Sequence, residues 1–312
     1  VVSDKVLLSC STPFSSREGT EQRINRALAL LDEIRTDKNV GRMELKSLEA
    51  SCFELAGGYH ISWGEYDKGL VFINEAISIS KEFGLSETHI HCLKHICYMH
   101  LQTEDPVRLI STARELIHLS RPENHRHYMA TAVRFVGVSM FLSGKYDQAE
   151  RTFRHSIRLF ESLKLTGKCY TLSILVAKCY IAEIFQLKGD HASALAYLES
   201  ATETSERIGL YWGRSYFHTH AASLALDMND MSLLFRHIDD AVSLFESCRG
   251  GRCGSMLYSI KAIADAERGR QESAERSIER AEIFLKDVSR KQWLATQYLA
   301  KAWLLSKSSK NK

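Results

Sequence analysis

Five short turns recur along this chain at a nearly constant spacing, and that spacing restricts the fold more than any other feature. The turns Gly64-Glu65-Tyr66-Asp67, Gly144-Lys145-Tyr146-Asp147, Gly189-Asp190-His191, Asn229-Asp230-Met231 and Gly269-Arg270-Gln271 begin 80, 45, 40 and 40 residues apart. The 80-residue gap predicts a sixth turn near residue 104, where Thr103-Glu104-Asp105-Pro106 is a helix-breaking sequence. The period is therefore close to 40, with one insertion of five residues.

Other offsets keep the same register. Seven residues before each turn stand Gly57, Gly137, Ala182, Ala222 and Ala262, and five after it Gly69, Ala149, Ala194, Leu234 and Ala274. Nine after stand Ile73, Phe153, Leu198, Ile238 and Ile278, and twelve after Ala76, Ser156, Ala201, Ala241 and Ala281. Offsets of five, nine and twelve follow an i, i+4, i+7 face, the stripe of an amphipathic helix. Small residues let two helices approach, and the large apolar residue between them fills the layer. Each unit is thus two antiparallel helices around a tight turn, and a lone pair cannot bury its apolar face, so neighbours must stack.

The expected helices run 18–36, 41–61, 66–83, 86–101, 106–119, 124–142, 146–162, 168–187, 191–207, 210–227, 231–247, 253–268, 271–287 and 290–307. Asp67 and Asp147 lie in first turns, where a carboxylate meets free amide donors, and Gly84 and Gly209 lie where a helix should stop. The three prolines are roughly 1% against a usual 5%, which also favours an all-helical chain. The fold class expected is all-α, a right-handed superhelical solenoid of antiparallel helix pairs spanning 17–307 as one array. Residues 1–16 read as a linker or the remnant of a preceding segment, and 308–312 as a polar tail. The chain opens Val1-Val2 rather than on methionine, which fits a piece of a longer protein. No window of about 18 apolar residues free of charge is apparent, so no membrane span is expected. A net charge of +3 without a basic stripe argues against direct nucleic-acid contact. The eight cysteines form no CxxC pair and lie in apolar stretches, so they read as reduced, buried thiols of a cytoplasmic protein.

The turn-and-alanine pattern resembles tetratricopeptide (TPR) repeats, most closely in Gly144-Lys145-Tyr146-Asp147-Gln148-Ala149 followed by Phe153 and Ser156, with Gly137 behind it. The resemblance covers about residues 41–287. The period departs from the 34 residues of the family and prolines between repeats are absent. Longer helices ending in phrases such as Lys81-Glu82-Phe83-Gly84-Leu85 fit that departure, and they resemble the long-repeat arm of MalT-like bacterial transcriptional regulators. The resemblance implies an arm that senses an effector or partner for a nucleotide-binding or DNA-binding domain.

Catalytic signatures are absent: there is no GxGxxG, GxSxG or HExxH motif and no EF-hand loop. Thr166-Gly167-Lys168-Cys169 has the end of a phosphate loop but not its upstream glycine, so it reads as a helix boundary. His91 and His95 are four apart and could face one metal ion beside Cys92 and Cys97. Those thiols point to other helix faces and no carboxylate spacing completes the set, so neither a metal nor another cofactor is expected. Arg249-Gly250-Gly251-Arg252 could grip an anion or be a solvated turn.

The better candidate is the concave face that the first helix of each pair lines in TPR-like stacks. Counting back from each turn places Glu54, Arg134, Phe141, Glu183, Gln186, Tyr216 and Thr219 there, near an aromatic cluster of Tyr211, Trp212, Tyr216, Phe217, His218 and His220. Only Arg134 is suited to hold an anion. The expected function is a non-catalytic binding domain taking a protein, peptide or small-molecule effector. The alternative is an assembly scaffold, a homodimer through end helices such as 290–307 with Trp293, Leu294, Tyr298, Leu299, Trp303 and Leu304.

Overall fold

A computed structural model describes residues 17–36, 40–122, 125–164, 168–247, 253–285 and 291–310. The expected linker 1–16, the Thr166-Gly167 step and the Arg249–Arg252 loop with Cys248 lie outside these residues, as do the side chains of Lys168, Cys169, Tyr211, Trp212 and Trp293. Among the described residues 88% are helical, in 14 helices with no strand. They are α1 (Arg17–Arg35), α2 (Arg42–Ser62), α3 (Tyr66–Phe83), α4 (Ser86–Gln102), α5 (Pro106–Leu119), α6 (Arg126–Leu142) and α7 (Tyr146–Ser162). There follow α8 (Lys168–Leu187), α9 (His191–Arg207), α10 (Tyr211–Asp227), α11 (Met231–Ser247), α12 (Gly254–Glu267), α13 (Gln271–Leu285) and α14 (Lys291–Lys310). The last helix runs on to Lys310, through residues that composition alone assigns to a polar tail.

The repeat is written in the backbone. One residue in each turn, at the same place in the repeat, is left-handed: Gly64, Glu104, Gly144, Gly189, Asn229 and Gly269 have φ of 81°, 50°, 73°, 79°, 53° and 73°. In each turn the next amide reaches back five residues, Glu65 to His60, Asp105 to His100, Lys145 to Met140, Asp190 to Phe185, Asp230 to Ala225 and Arg270 to Asp265, over 2.8–2.9 Å. This bond satisfies a carbonyl that the helix end leaves unpaired. Asp105, Asp190 and Asp230 then cap the following helix, accepting from the amides of Arg108, Ser193 and Leu233. Glu104 occupies a conformation that costs a side-chain-bearing residue about 1–2 kcal/mol. Glu104→Gly is therefore expected to stabilise the chain by about 0.5–1 kcal/mol net of glycine's greater unfolded-state freedom. Thermal unfolding checks this, with Gly144→Ala moving the midpoint the other way.

The described residues form two compact units, one of 1–101 and 105–139, the other of 102–104 and 140–312. The repeat period carries no mark at this division. In the first unit, α2 packs on α1 and α3, around Ile61, Ile73, Ala76, Cys92 and Met99. In the second, each helix packs on its neighbours in sequence, and α8 touches α10, α10 touches α12 and α12 touches α14. The first helices thus stand side by side, with the second helices against them. Leu234, Ile238, Ala241, Tyr258, Leu257 and Ala222 are central to that core.

The expectation of no membrane span rests on the lack of a charge-free apolar window, and the one helix among the described residues with membrane-spanning length and composition carries two charges. Tyr170–Leu187 of α8 is long and apolar enough by length and composition, charges Lys178 and Glu183 notwithstanding. Its neighbours α7, α9 and α10 pack around it, so its apolar faces serve the core of the second unit.

Candidate functional site

The seven sequence-selected residues fall into separate side-chain groups, and most of them are buried. On α2, Glu54 is 7% exposed and takes the Nε2 of His95 on α4 at 2.7 Å. His91, one turn earlier on α4, holds Nδ1 3.9 Å from the same oxygen and Nε2 2.5 Å from the Tyr128 hydroxyl. Burial raises the Glu54 carboxyl, but His91 and His95, the two imidazoles that face it, outweigh burial and hold the group well below the usual carboxylate range. Burial lowers His95, against the pull of Glu54, so His95 donates as a neutral imidazole. The ring fits because Gly58 lacks a side chain: a Cβ there would lie 2.5 Å from His95 Cε1. This arrangement corrects the sequence reading of His91 and His95, because Glu54 is the acidic partner that the spacing along one helix could not reveal. Cys92 points away into the apolar core, and burial raises the thiols of both Cys92 and Cys97 far above their ordinary range.

Arg134 on α6 is 3% exposed. Its Nη2 donates to the Tyr98 hydroxyl at 3.3 Å, and the guanidinium lies 4.8 Å from the Phe135 ring centroid and 6.0 Å from that of Tyr98. Its Nε has no hydrogen-bond partner, and no carboxylate among the described residues forms an ion pair with it. A desolvated guanidinium with aromatic faces and an idle donor has the donor chemistry that an anion would complete.

In the second unit, Glu183 on α8 faces His220 on α10, with Oε1 3.3 Å from Nδ1, and the Cys179 thiol lies 4.0 Å from the same oxygen. Tyr216 is half-buried, its ring centroid 4.5 Å from that of His220. Gln186 donates to Asp227 at 2.5 Å. Phe141 packs on Tyr146 and Tyr180. Thr219 is fully buried and donates to the Ser215 carbonyl at 2.8 Å, so it is an interior residue and lines no open face.

His218 and His237 form a buried pair that residue spacing did not single out, with their Nδ1 atoms 2.9 Å apart. One nitrogen must carry a proton and the other a lone pair, so the two rings cannot both be protonated while the bond is kept. Burial, helped by His218 and Arg236 against Asp240, lowers His237 to about 4, and burial lowers His218 as well. The unfolded chain binds these protons near the ordinary value of 6.5, so it is the state that gains protons as pH falls. The pair's contribution is present above that value and lost on the way down to about 4, with a slope of up to about 1.4 kcal/mol per pH unit per proton. His237→Gln is expected to flatten the fall of the unfolding midpoint over this window in a pH series of thermal melts.

No protein-family profile matches the chain, and no curated protein matches its sequence. Solved structures match its backbone. The apo form of RapI aligns with 92% of this chain and 98% of its own, at 12% identity and a TM-score of 0.62. A Rap protein complexed with Competence and Sporulation Factor aligns with 88% of this chain and 70% of its own, at 14% identity and 0.61. A Pyrococcus horikoshii signal transduction ATPase with numerous domains, carrying a tetratricopeptide repeat sensor, aligns with 92% of this chain over 43% of its length, at 12% identity and 0.57. The fold is TPR-like. At these identities the likeness is one of TPR-like architecture, and it leaves the ligand to be argued from the side chains.

Side chains from the TPR-like helices also show which contacts the sequence reading missed. It selected Glu54 and Glu183 without their histidines, because partners 37–41 residues away belong to the next repeat. A signal for them existed. Counted back from their turns, Glu54 and Cys179 share one offset, as do His91 with Tyr216 and His95 with His220. Aligning the repeats on their turns therefore pairs adjacent first helices.

Proposed function

We propose that this chain is a non-catalytic binding domain, the effector-sensing or protein-interaction arm of a bacterial transcriptional regulator, acting in the cytoplasm. The reading rests on Arg134. A buried cation is costly unless an anion joins it, and a carboxylate from a peptide or small effector would complete the guanidinium fork with paired hydrogen bonds. Such a ligand favours the conformation that encloses it, and differential affinity for two states is how a sensor arm transmits occupancy. The Rap protein complexed with Competence and Sporulation Factor and the Pyrococcus sensor support the class. Burial that raises Cys92 and Cys97, and Cys253 to about 12, leaves these thiols poor nucleophiles, in keeping with a non-catalytic role.

Calorimetry against peptides with free and amidated C-termini tests it. Saturable binding that requires the free carboxylate is expected, and Arg134→Gln should weaken it at least about tenfold while leaving the melting temperature level or higher. Binding unchanged by the substitution would overturn the assignment. A second reading, self-association through the end helices, is favoured by Leu294, Tyr298, Leu299 and Leu305, which are exposed on α14. Trp303 and Leu304 are not part of that surface: Leu304 is buried, and the Trp303 Nε1 donates to Glu267 at 2.6 Å. Sedimentation as a monomer throughout the micromolar range removes the second reading.

A further inference from the structure

We propose that Cys179, Glu183 and His220 form a binding site for a divalent cation of the Zn2+ class, held between α8 and α10 in the second unit. It is independent of the Arg134 reading, which concerns residues of the first unit. Cys179 and Glu183 stand four apart on α8 and so share one face, towards His220 on α10. One ligand atom from each, Sγ, Oε1 and an imidazole nitrogen, lies within 4.8 Å of the other two. The measured edges are 3.3 Å from carboxylate to imidazole and 4.0 Å from carboxylate to sulfur. Tetrahedral zinc with bonds of about 2.0–2.3 Å sets its ligand atoms roughly 3.3–3.7 Å apart. The two measured edges therefore need to close by at most a few tenths of an ångström, and the sulfur–imidazole edge, which lies within 4.8 Å, by up to about one ångström.

Charge and donor chemistry select the ion. All three residues are buried, at 1%, 7% and 4% exposure. A thiolate and a carboxylate bring two negative charges that are costly in a low-dielectric interior, and a divalent cation cancels both. Thiolate with imidazole suits zinc over magnesium or calcium, which take oxygen ligands. Binding displaces the Cys179 thiol proton to solvent and forms the sulfur–metal bond, while Glu183 binds as carboxylate and His220 as neutral imidazole. Three protein ligands leave the fourth position of the tetrahedron for water or an incoming donor. The metal would tie α8 to α10.

The full chain is freed of metal with a chelator and titrated with Co2+, then with Zn2+. One Co2+ per chain is expected, with a sulfur-to-cobalt charge-transfer band and the visible bands of four-coordination, both erased by stoichiometric Zn2+. Cys179→Ser should abolish the charge-transfer band. Glu183→Gln and His220→Gln should weaken Zn2+ binding at least tenfold, and Zn2+ should raise the wild-type melting temperature but not that of Cys179→Ser. Glu183→Gln is nearly isosteric, so circular dichroism of that variant separates lost metal from lost fold. Absence of the band in the wild type, its survival in Cys179→Ser, or unchanged Zn2+ affinity in folded Glu183→Gln would each overturn the proposal.

Discussion

Gly57→Ala is expected to destabilise the first unit by about 2–3 kcal/mol, although alanine is the better helix former by about 1 kcal/mol. A Cβ on Gly57 of α2 would lie 2.6 and 2.8 Å from two carbons of Ile73 on α3, and 2.9 Å from the carbonyl oxygen of Gly69. Ile73 is fully buried and has nowhere to swing, and the Gly69 oxygen is backbone. Gly69 is fixed in the same way, since its own Cβ would stand 2.7 Å from Ile61 Cγ1 and 3.0 Å from the Gly57 oxygen. The helices must part or the isoleucines must leave their rotamers, and either loses packing on both sides. Gly41→Ala is the control, because a Cβ there meets nothing within 4 Å. The same repeat offset in the second unit holds Ala222, fully buried, where Ala222→Trp must force in an entire indole and cost at least as much. Denaturant unfolding checks all three; a Gly57→Ala chain more stable than the parent would contradict this account of the repeat.

The fold was legible because its repeat rests on backbone requirements that few residues meet. A helix reversal needs a left-handed residue, so glycine marks four of the six turns, and the period identifies Glu104 and Asn229 as residues in the same role. Close helix approach needs glycine or alanine, which marks Gly57, Ala182, Ala222 and Ala262. Helix ends beyond the turns were harder. Gly84 and Gly209 announce theirs, whereas Lys164 is equally left-handed at φ 49° and carries no such mark. The division into two units left no trace in the repeat, because each pair needs the same small and large residues whether or not its neighbours cluster with it.

The candidate site was legible only in part. Counting along first helices selected Glu54, Arg134 and Glu183 because charged residues in apolar helices stand out. It misjudged Thr219, since a hydroxyl satisfied by the carbonyl four residues back can be buried at little cost, and sequence does not separate that use from a ligand contact. The histidine partners were hidden because sequence search looked along one helix for ligands that the fold supplies from the next. His218 and His237 were hidden for the same reason, being joined across α10 and α11.

Loss of the His95 ring is the second large effect expected, about 2–4 kcal/mol for His95→Ala. Glu54 stays ionised in the interior because imidazoles face it. Without His95 its nearest histidine nitrogen is Nδ1 of His91 at 3.9 Å, too far for a hydrogen bond. The penalty is chiefly a buried carboxylate deprived of its donor, joined by the cavity left above Gly58. Glu54→Gln should cost less, about 1 kcal/mol, since its amide oxygen still accepts from His95 and no charge is stranded. The double variant should then fall short of the sum by about 1 kcal/mol or more, because removing the charge removes most of the reason His95 is needed. The sign with pH follows from the lowered carboxyl: its contribution is present above the ordinary value of 4.5 and lost as pH falls below it towards the folded value. His95→Ala should therefore lose its disadvantage to the parent in acid, and additive free energies at neutral pH, measured by urea unfolding, would show that the two side chains are not coupled.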